Sequence, residues 1–247
     1  MSRSLSTFVL LLLLLGVGLS GCVEDRTSLT IRKMLVPDST CTATAGSAEF
    51  ISMGTLDISQ VDNPDVTVQY FLFPEVENNL VSTEEGEGVE LNQLEIIEAR
   101  VSLDFGALVS TLDADAAKFR YPAFLTMAPG DSAVIQVLGI PAPTARVLAS
   151  LLPNVGDTVI VRIKVKFLYQ LGEYEHESME VEFPVQVCNH CLLTPLSQAP
   201  LCDSGLLPDT IREGNGCNIF QDVPVDCCQS GGKLICPAVD TSEDTTQ

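Results

Sequence analysis

The chain has 247 residues, with 33 Asp and Glu against 13 Lys and Arg, a formal charge of −20. So negative a surface repels nucleic acid and anionic headgroups, and no Lys/Arg cluster along the sequence offsets it, which excludes nucleic-acid binding. Trp is absent and aromatic residues make up 6% of the chain, which argues against a carbohydrate-stacking cleft.

At the start, Arg3 precedes an apolar stretch from Phe8 to Val17. A spanning helix needs ~20 apolar residues, so residues 1–21 read as a signal peptide. Leu19-Ser20-Gly21-Cys22 closes the stretch and resembles the lipobox of bacterial lipoprotein precursors. The resemblance implies cleavage before Cys22 and a diacylglyceryl group on its thiol, with palmitate-like acyl chains. One chain holds a membrane only marginally, at ~0.8 kcal/mol per buried methylene; two or three make a durable anchor. The resemblance further implies a bacterial cell-envelope location, and Val23 in place of Asp leans towards the outer membrane. It ends at residue 22 and assigns no activity.

Without the leader 226 residues remain, with 12 positive against 33 negative side chains, near −21. No later apolar run approaches spanning length, so the expectation is a soluble body held at the membrane by its lipid. Residues 22–40 form the lipidated N-terminus and a short tether. A first strand is expected where Leu29, Ile31 and Leu35 alternate imperfectly with polar neighbours.

From 41 to 187 the dominant period is two, with turn residues between the runs. Candidate strands span 48–58, 65–73, 94–105, 119–127, 132–139, 157–169 and 178–187. They predict an all-β domain, an antiparallel β-sandwich that is immunoglobulin- or fibronectin-like in the loose sense. In the third run Ile97, Ala99, Val101, Leu103 and Phe105 are expected on the buried face. In the last hairpin Val159, Val161, Ile163, Val165 and Phe167 answer Met179, Val181, Phe183, Val185 and Val187. A turn near Gly172 to Glu177 sets Lys166 opposite Glu180 and Lys164 opposite Glu182. Pro184 removes a ladder donor, which predicts an edge or a bulge there. One short crossover helix is expected, capped by Thr144, carrying Ala145, Val147, Leu148, Leu151 and Leu152 and ended by Pro153.

Residues 188–240 hold seven cysteines and little apolar periodicity, the pattern of a disulfide-stapled module; 241–247 read as a disordered acidic tail. With Cys22 lipidated, eight cysteines remain: Cys41, Cys188, Cys191, Cys202, Cys217, Cys227, Cys228 and Cys236. In an exported chain they read as up to four bridges, with 105 possible connectivities. Adjacent Cys227 and Cys228 are expected to take different partners. Cys41 must reach the C-terminal segment, with Cys188 or Cys191 favoured.

Three motifs suggest chemistry. Cys188-Asn189-His190-Cys191 has redox CxxC spacing, and zinc ligation by Cys188, His190, Cys191 and one more cysteine is its metal counterpart. The motif follows a strand rather than opening a helix, and no second Cys/His pair stands at finger spacing, so structural bridging is the expectation. Gly130-Asp131-Ser132 and Cys202-Asp203-Ser204-Gly205 carry serines without a hydrolase frame, and His176 and His190 are the available bases. Acidic groups at Glu84, Glu85, Glu87 and Glu90, at Asp113 and Asp115, and at Glu173, Glu175 and Glu177 lack the calcium-loop pattern. No catalytic residue, resident metal or cofactor is assigned. The sequence thus predicts a non-enzymatic binding or structural protein of the envelope, with an envelope protein or polymer as partner. The alternative is a redox-active or metal-binding protein using Cys188, His190 and Cys191.

Overall fold

The computed structural model describes residues 28–82, 92–106, 108, 117–193, 195–202 and 214–236. Cys22 and the leader, Glu84 to Glu90, Asp113 and Asp115, Asp203 and Ser204, and the 241–247 tail lie outside these residues.

In chain order the strands are β1 (Leu29–Leu35), β2 (Phe50–Ile51), β3 (Gly54–Asp57), β4 (Tyr70–Leu72) and β5 (Pro74–Asn78). Then come β6 (Leu94–Asp104), β7 (Lys118–Met127), β8 (Ser132–Val134), β9 (Val137–Ile140) and helix α1 (Ala142–Leu151). β10 (Thr158–Leu171), β11 (Tyr174–Glu177) and β12 (Val181–Cys188) follow, and β13 (Cys228–Ser230) and β14 (Lys233–Ile235) form a hairpin in the Cys-rich segment. The large sheet has the order β3-β12-β10-β6-β7, with β11 also paired to β10. A smaller sheet runs β2-β1-β5-β8, and β4 pairs β9.

Both principal sheets feed one core. Leu29, Met34 and Val76 of the small sheet join Val101, Ile163, Val165, Phe167 and Val185 of the large one in a single buried cluster. The fold is therefore all-β, two curled sheets facing across apolar side chains. Leu193, Ile219, Phe220, Val225 and Cys227 of the Cys-rich segment belong to the same cluster.

Several details differ from the sequence expectation. The large sheet is mixed: β3 pairs parallel to β12, Val185 with Gly54 through Cys188 with Asp57. Parallel neighbours need a long crossover, and here β4 to β11 supply it. The run at 48–58 divides into β2 and β3, 132–139 divides into β8 and β9, and 65–73 shrinks to β4. β5 escaped the pattern because it lies between β1 and β8 with Glu75 and Asn78 buried as well as Val76, so its inner residues do not alternate.

In β6 the buried set is Leu94, Ile96, Ala99, Val101 and Leu103. The register shifts around Ile97 against both β7 and β10; this bulge reverses the parity and moves Ile97 off the core face. The β10-β11 turn is tight, Leu171 pairing Tyr174, with Gly172 at φ 61. A left-handed residue at the first central position suits a two-residue hairpin, and glycine takes it without strain. Lys164 does pair Glu182, but Lys166 meets Glu177 instead of Glu180. Leu168 pairs Glu177 whereas Val165 pairs Val181, so Ser178 to Glu180 carry one residue more than the β10 segment they face. Ser178 turns inward, donating its N–H to Phe167 O and accepting Phe167 N–H on Oγ, both at 2.9 Å. Met179, expected inside, is 66% exposed.

β12 is interior to the sheet, yet β3 covers only Val185 to Cys188, so Pro184 has a strand on one side alone and its missing donor goes unused. The helix starts earlier than expected. Pro141, at φ −66 and ψ 151, is its N-cap, while Thr144 is buried within the first turn. Proline is tolerated there because the first-turn amides lack intrahelical partners. Ala145 and Leu148 face the core, whereas Val147 is exposed.

Phe167 and Met179 both read as core in sequence, but only Phe167 is buried. Phe167→Ala is expected to lower unfolding free energy by about 3–5 kcal/mol, and Met179→Ala to change it by no more than about 0.5 kcal/mol, measured by urea denaturation.

Candidate functional site

Four bridges occur: Cys41–Cys217, Cys188–Cys191, Cys202–Cys228 and Cys227–Cys236. Cys227 and Cys228 part as expected. The favoured partner of Cys41 was wrong, because packing brings Cys217 to it instead. A Cβ added to Gly216 would lie 2.4 Å from Ser39 O, so the 214–218 segment lies directly on the loop that carries Cys41. Cys188, by contrast, ends β12 beside Asp57 of β3.

Asp57 is wholly buried. Its Oδ1 accepts the N–H of Ser59 at 2.9 Å and of His190 at 3.1 Å; its Oδ2 accepts those of Leu192 at 2.8 Å and Leu193 at 3.0 Å. Buried charge is tolerated only with such pairing. This carboxylate therefore shapes the Cys188–Cys191 loop. Asn189 ties the loop further, donating Nδ2–H to Leu152 O at 2.9 Å and its N–H to Asp157 O at 3.0 Å. His190 sits at φ 64 with Nδ1 2.6 Å from Asn189 Oδ1.

The donor atoms of Asp57, Cys188 and Cys191 lie within 4.8 Å of one another. Zinc does not fit this set as it stands: its cysteine ligands must be thiolates, these two are bridged, and both Asp57 oxygens already accept two N–H groups. Nor does the CxxC segment open a helix, the setting that lowers a thiol pKa.

A second, half-buried carboxylate joins the Cys-rich segment to β4. Asp222 Oδ1 accepts Thr55 N–H at 2.8 Å and the Tyr70 hydroxyl at 3.0 Å, and Oδ2 accepts Gln221 Nε2–H at 3.0 Å. Burial pushes the Asp222 carboxyl up, against those hydrogen bonds. Burial, with Asp222 beside it, holds the Tyr70 hydroxyl well above the usual tyrosine range. The Gln221 amide meets both Phe71 N–H at 2.9 Å and Phe71 O at 2.8 Å, acting as a strand neighbour for β4. Gly54 makes room, since a Cβ there would lie 1.9 Å from the Tyr70 hydroxyl.

Beside these contacts lies a cleft of about 1070 Å³ between the 60–69 loop and the β13-β14 hairpin. Gln60, Asn63, Gln69 and Asn218 supply amides, while Val66, Ile219, Phe220 and Leu234 supply apolar surface. His190 reaches its rim, and Cys217 and Cys236, each bridged, help form the walls. The hairpin wall is fixed by Cys227–Cys236 and Cys202–Cys228.

The other singled-out residues stand apart. Ser132 lies on β8 of the small sheet and Asp131 caps the preceding turn through Ala128 N–H. His176 stacks on Tyr169 on β11 of the large sheet, with ring centroids 5.6 Å apart. Neither histidine shares an element with that serine. Asp57, Tyr70, Gln221 and Asp222 went unnoticed in sequence. The available signal was an acid set within the apolar run Leu56-Asp57-Ile58, since charged residues are rarely buried unless paired. No protein-family model matches this chain, and no curated protein matches it significantly.

Asp57→Asn leaves one acceptor oxygen for four donors. It is expected to cost about 1.5–3 kcal/mol, with faster amide exchange at His190, Leu192 and Leu193 as the local readout. Tyr70 gives a pH prediction. Its folded pKa lies above the unfolded value, so the stabilisation is present below about pH 10 and is lost as pH rises beyond it, where only the unfolded chain releases the proton. Urea midpoints at pH 8 and 10.8 should fall more for the native chain than for Tyr70→Phe.

Proposed function

We propose that the protein is a lipid-anchored component of the bacterial cell envelope that binds a partner, an envelope protein or polymer, without catalysing a reaction. One contrast carries this reading. Near the cleft the carboxylates of Asp57 and Asp222 and the sulfurs of the four bridges are committed to structure, whereas the cleft itself is lined mainly by amide, hydroxyl and apolar groups, with Asp65, Lys233 and His190 as its ionisable side chains. Recesses of several hundred Å³ with a few convergent polar groups are where proteins take ligands. Four disulfides suit an oxidising compartment, and the 1–21 leader followed by Cys22 supports the anchor.

A redox reading of Cys188, His190 and Cys191 has one observation behind it: Cys191 is exposed while Cys188 is buried beside Asp57. Reversible reduction of that bridge alone by a mild dithiol, with the fold intact, would favour it.

The binding reading predicts that a photo-crosslinking residue at Val66 or Leu234 captures the same envelope component in cells, and that one at Ser132, outside the cleft, does not. Cys22→Ala should release the protein from the membrane fraction. Failure to recover any component across a range of salt conditions, or equal capture at all three positions, would count against the cleft.

A further inference from the structure

The solvent face of the large sheet gathers what the sequence scatters. Six of the chain's thirteen Lys and Arg lie on it: Arg100, Lys118, Arg120, Arg162, Lys164 and Lys166. Lys166, Arg100 and Arg120 stand directly opposite one another across β10, β6 and β7. In the next row Lys164, Ser102 and Lys118 are aligned. Like charges placed opposite one another destabilise a sheet, and a chain with so few cations has no compositional reason to align three of them.

Each row is closed by carboxylate at its inner end and open at its outer end. Glu182 faces Lys164, and Glu177 contacts both Lys166 and Arg100. At the outer end Arg120 reaches Glu98, at 3.7 Å, with its side chain 72% exposed, and Lys118 makes no ion pair among the described residues. That outer end is β7, the last strand of the sheet, whose far edge has no partner among the described residues. On the other side of β10 the sheet ends in two places, at β3 beyond β12 and at β11. β11 pairs only with β10 and carries Glu175 and Glu177 on the same solvent face, with Glu173 in the turn before it.

We propose that β7 of one copy pairs with β11 of a second copy, joining the large sheets edge to edge. β7 is antiparallel to β6, β6 to β10 and β10 to β11, so β11 runs antiparallel to β7. A copy displaced sideways, without being turned over, therefore presents β11 to β7 in antiparallel sense and with the solvent faces on one side. A slide along the strand sets Glu175 and Glu177 opposite Arg120 and Lys118. Charged edge residues ordinarily keep strands from pairing; here the same charges bar β7 from β7 and β11 from β11 while admitting one to the other. The charge of −20 is screened beyond ~8 Å at physiological ionic strength, so the contact is decided by its local charges. Two different edges meet, so the association does not close and extends into a row. It is independent of the cleft.

Sedimentation velocity of the full chain purified in detergent tests this. At low salt the native chain should associate with rising concentration and return to monomer in about 0.5 M salt. Lys118→Glu with Arg120→Glu, and separately Glu175→Lys with Glu177→Lys, should each weaken association by about tenfold or more. Mixing the two variants should restore it, because the acidic β7 of one meets the basic β11 of the other. A native chain that stays monomeric throughout, association unmoved by either variant, or a mixture no more associated than its parts would overturn the proposal. Should a variant fail to fold, the salt and concentration dependence of the native chain decides it.

Discussion

The buried carboxylate of Asp57 is the constraint from which the rest of the architecture follows. With four N–H groups converging on it, it must lie where β3 ends, where β12 ends and where the Cys-rich segment begins. That requirement draws β3 alongside β12 in the one parallel pairing of the large sheet and turns the chain sharply at His190. Asp222 repeats the device within the Cys-rich segment, anchoring the return of that segment to Tyr70 and Thr55. Between these two points the segment is sewn to the sandwich, and its hairpin becomes one wall of the cleft.

That arrangement bears directly on function. A carboxylate holding four backbone amides is poorly placed to serve as a base, and a sulfur in a bridge is not a nucleophile. These carboxylates and bridged sulfurs act as joinery, and the rigidity they confer suits the binding role proposed, since preorganised walls lose little freedom on association. The chain's charge is also unevenly spread. Six of the thirteen Lys and Arg stand on the solvent face of the large sheet, on β10, β6 and β7, while β11 carries Glu175 and Glu177.

How much of this was legible beforehand depended on the range of the interaction concerned. Alternation in β6, β7 and β10 was plain because each buries one face, and the Lys164–Glu182 pairing followed from it. The bulges at Ile97 and at Ser178 to Glu180 were invisible: one extra residue reverses parity without changing composition, which is why Ile97 and Met179 were placed on the wrong side. β5 was hidden by burial of its polar residues. The disulfide set was readable as a set, but the partner of Cys41 depends on Gly216 lying against Ser39, a contact made across most of the chain. The cation rows on the large sheet likewise exist only in register, as no two of their members are adjacent in sequence. The Asp57 and Asp222 contacts had only the faint mark of acids beside apolar residues.

The central claim is that every sulfur beyond the anchor belongs to the scaffold that shapes the cleft. Disulfide mapping of the natively anchored protein by mass spectrometry tests it most directly. The account requires an acylated Cys22 and the pairs Cys41–Cys217, Cys188–Cys191, Cys202–Cys228 and Cys227–Cys236, with no free thiol. A reduced Cys188 and Cys191, a bridge from Cys41 to either of them, or an unprocessed and unlipidated chain would contradict it.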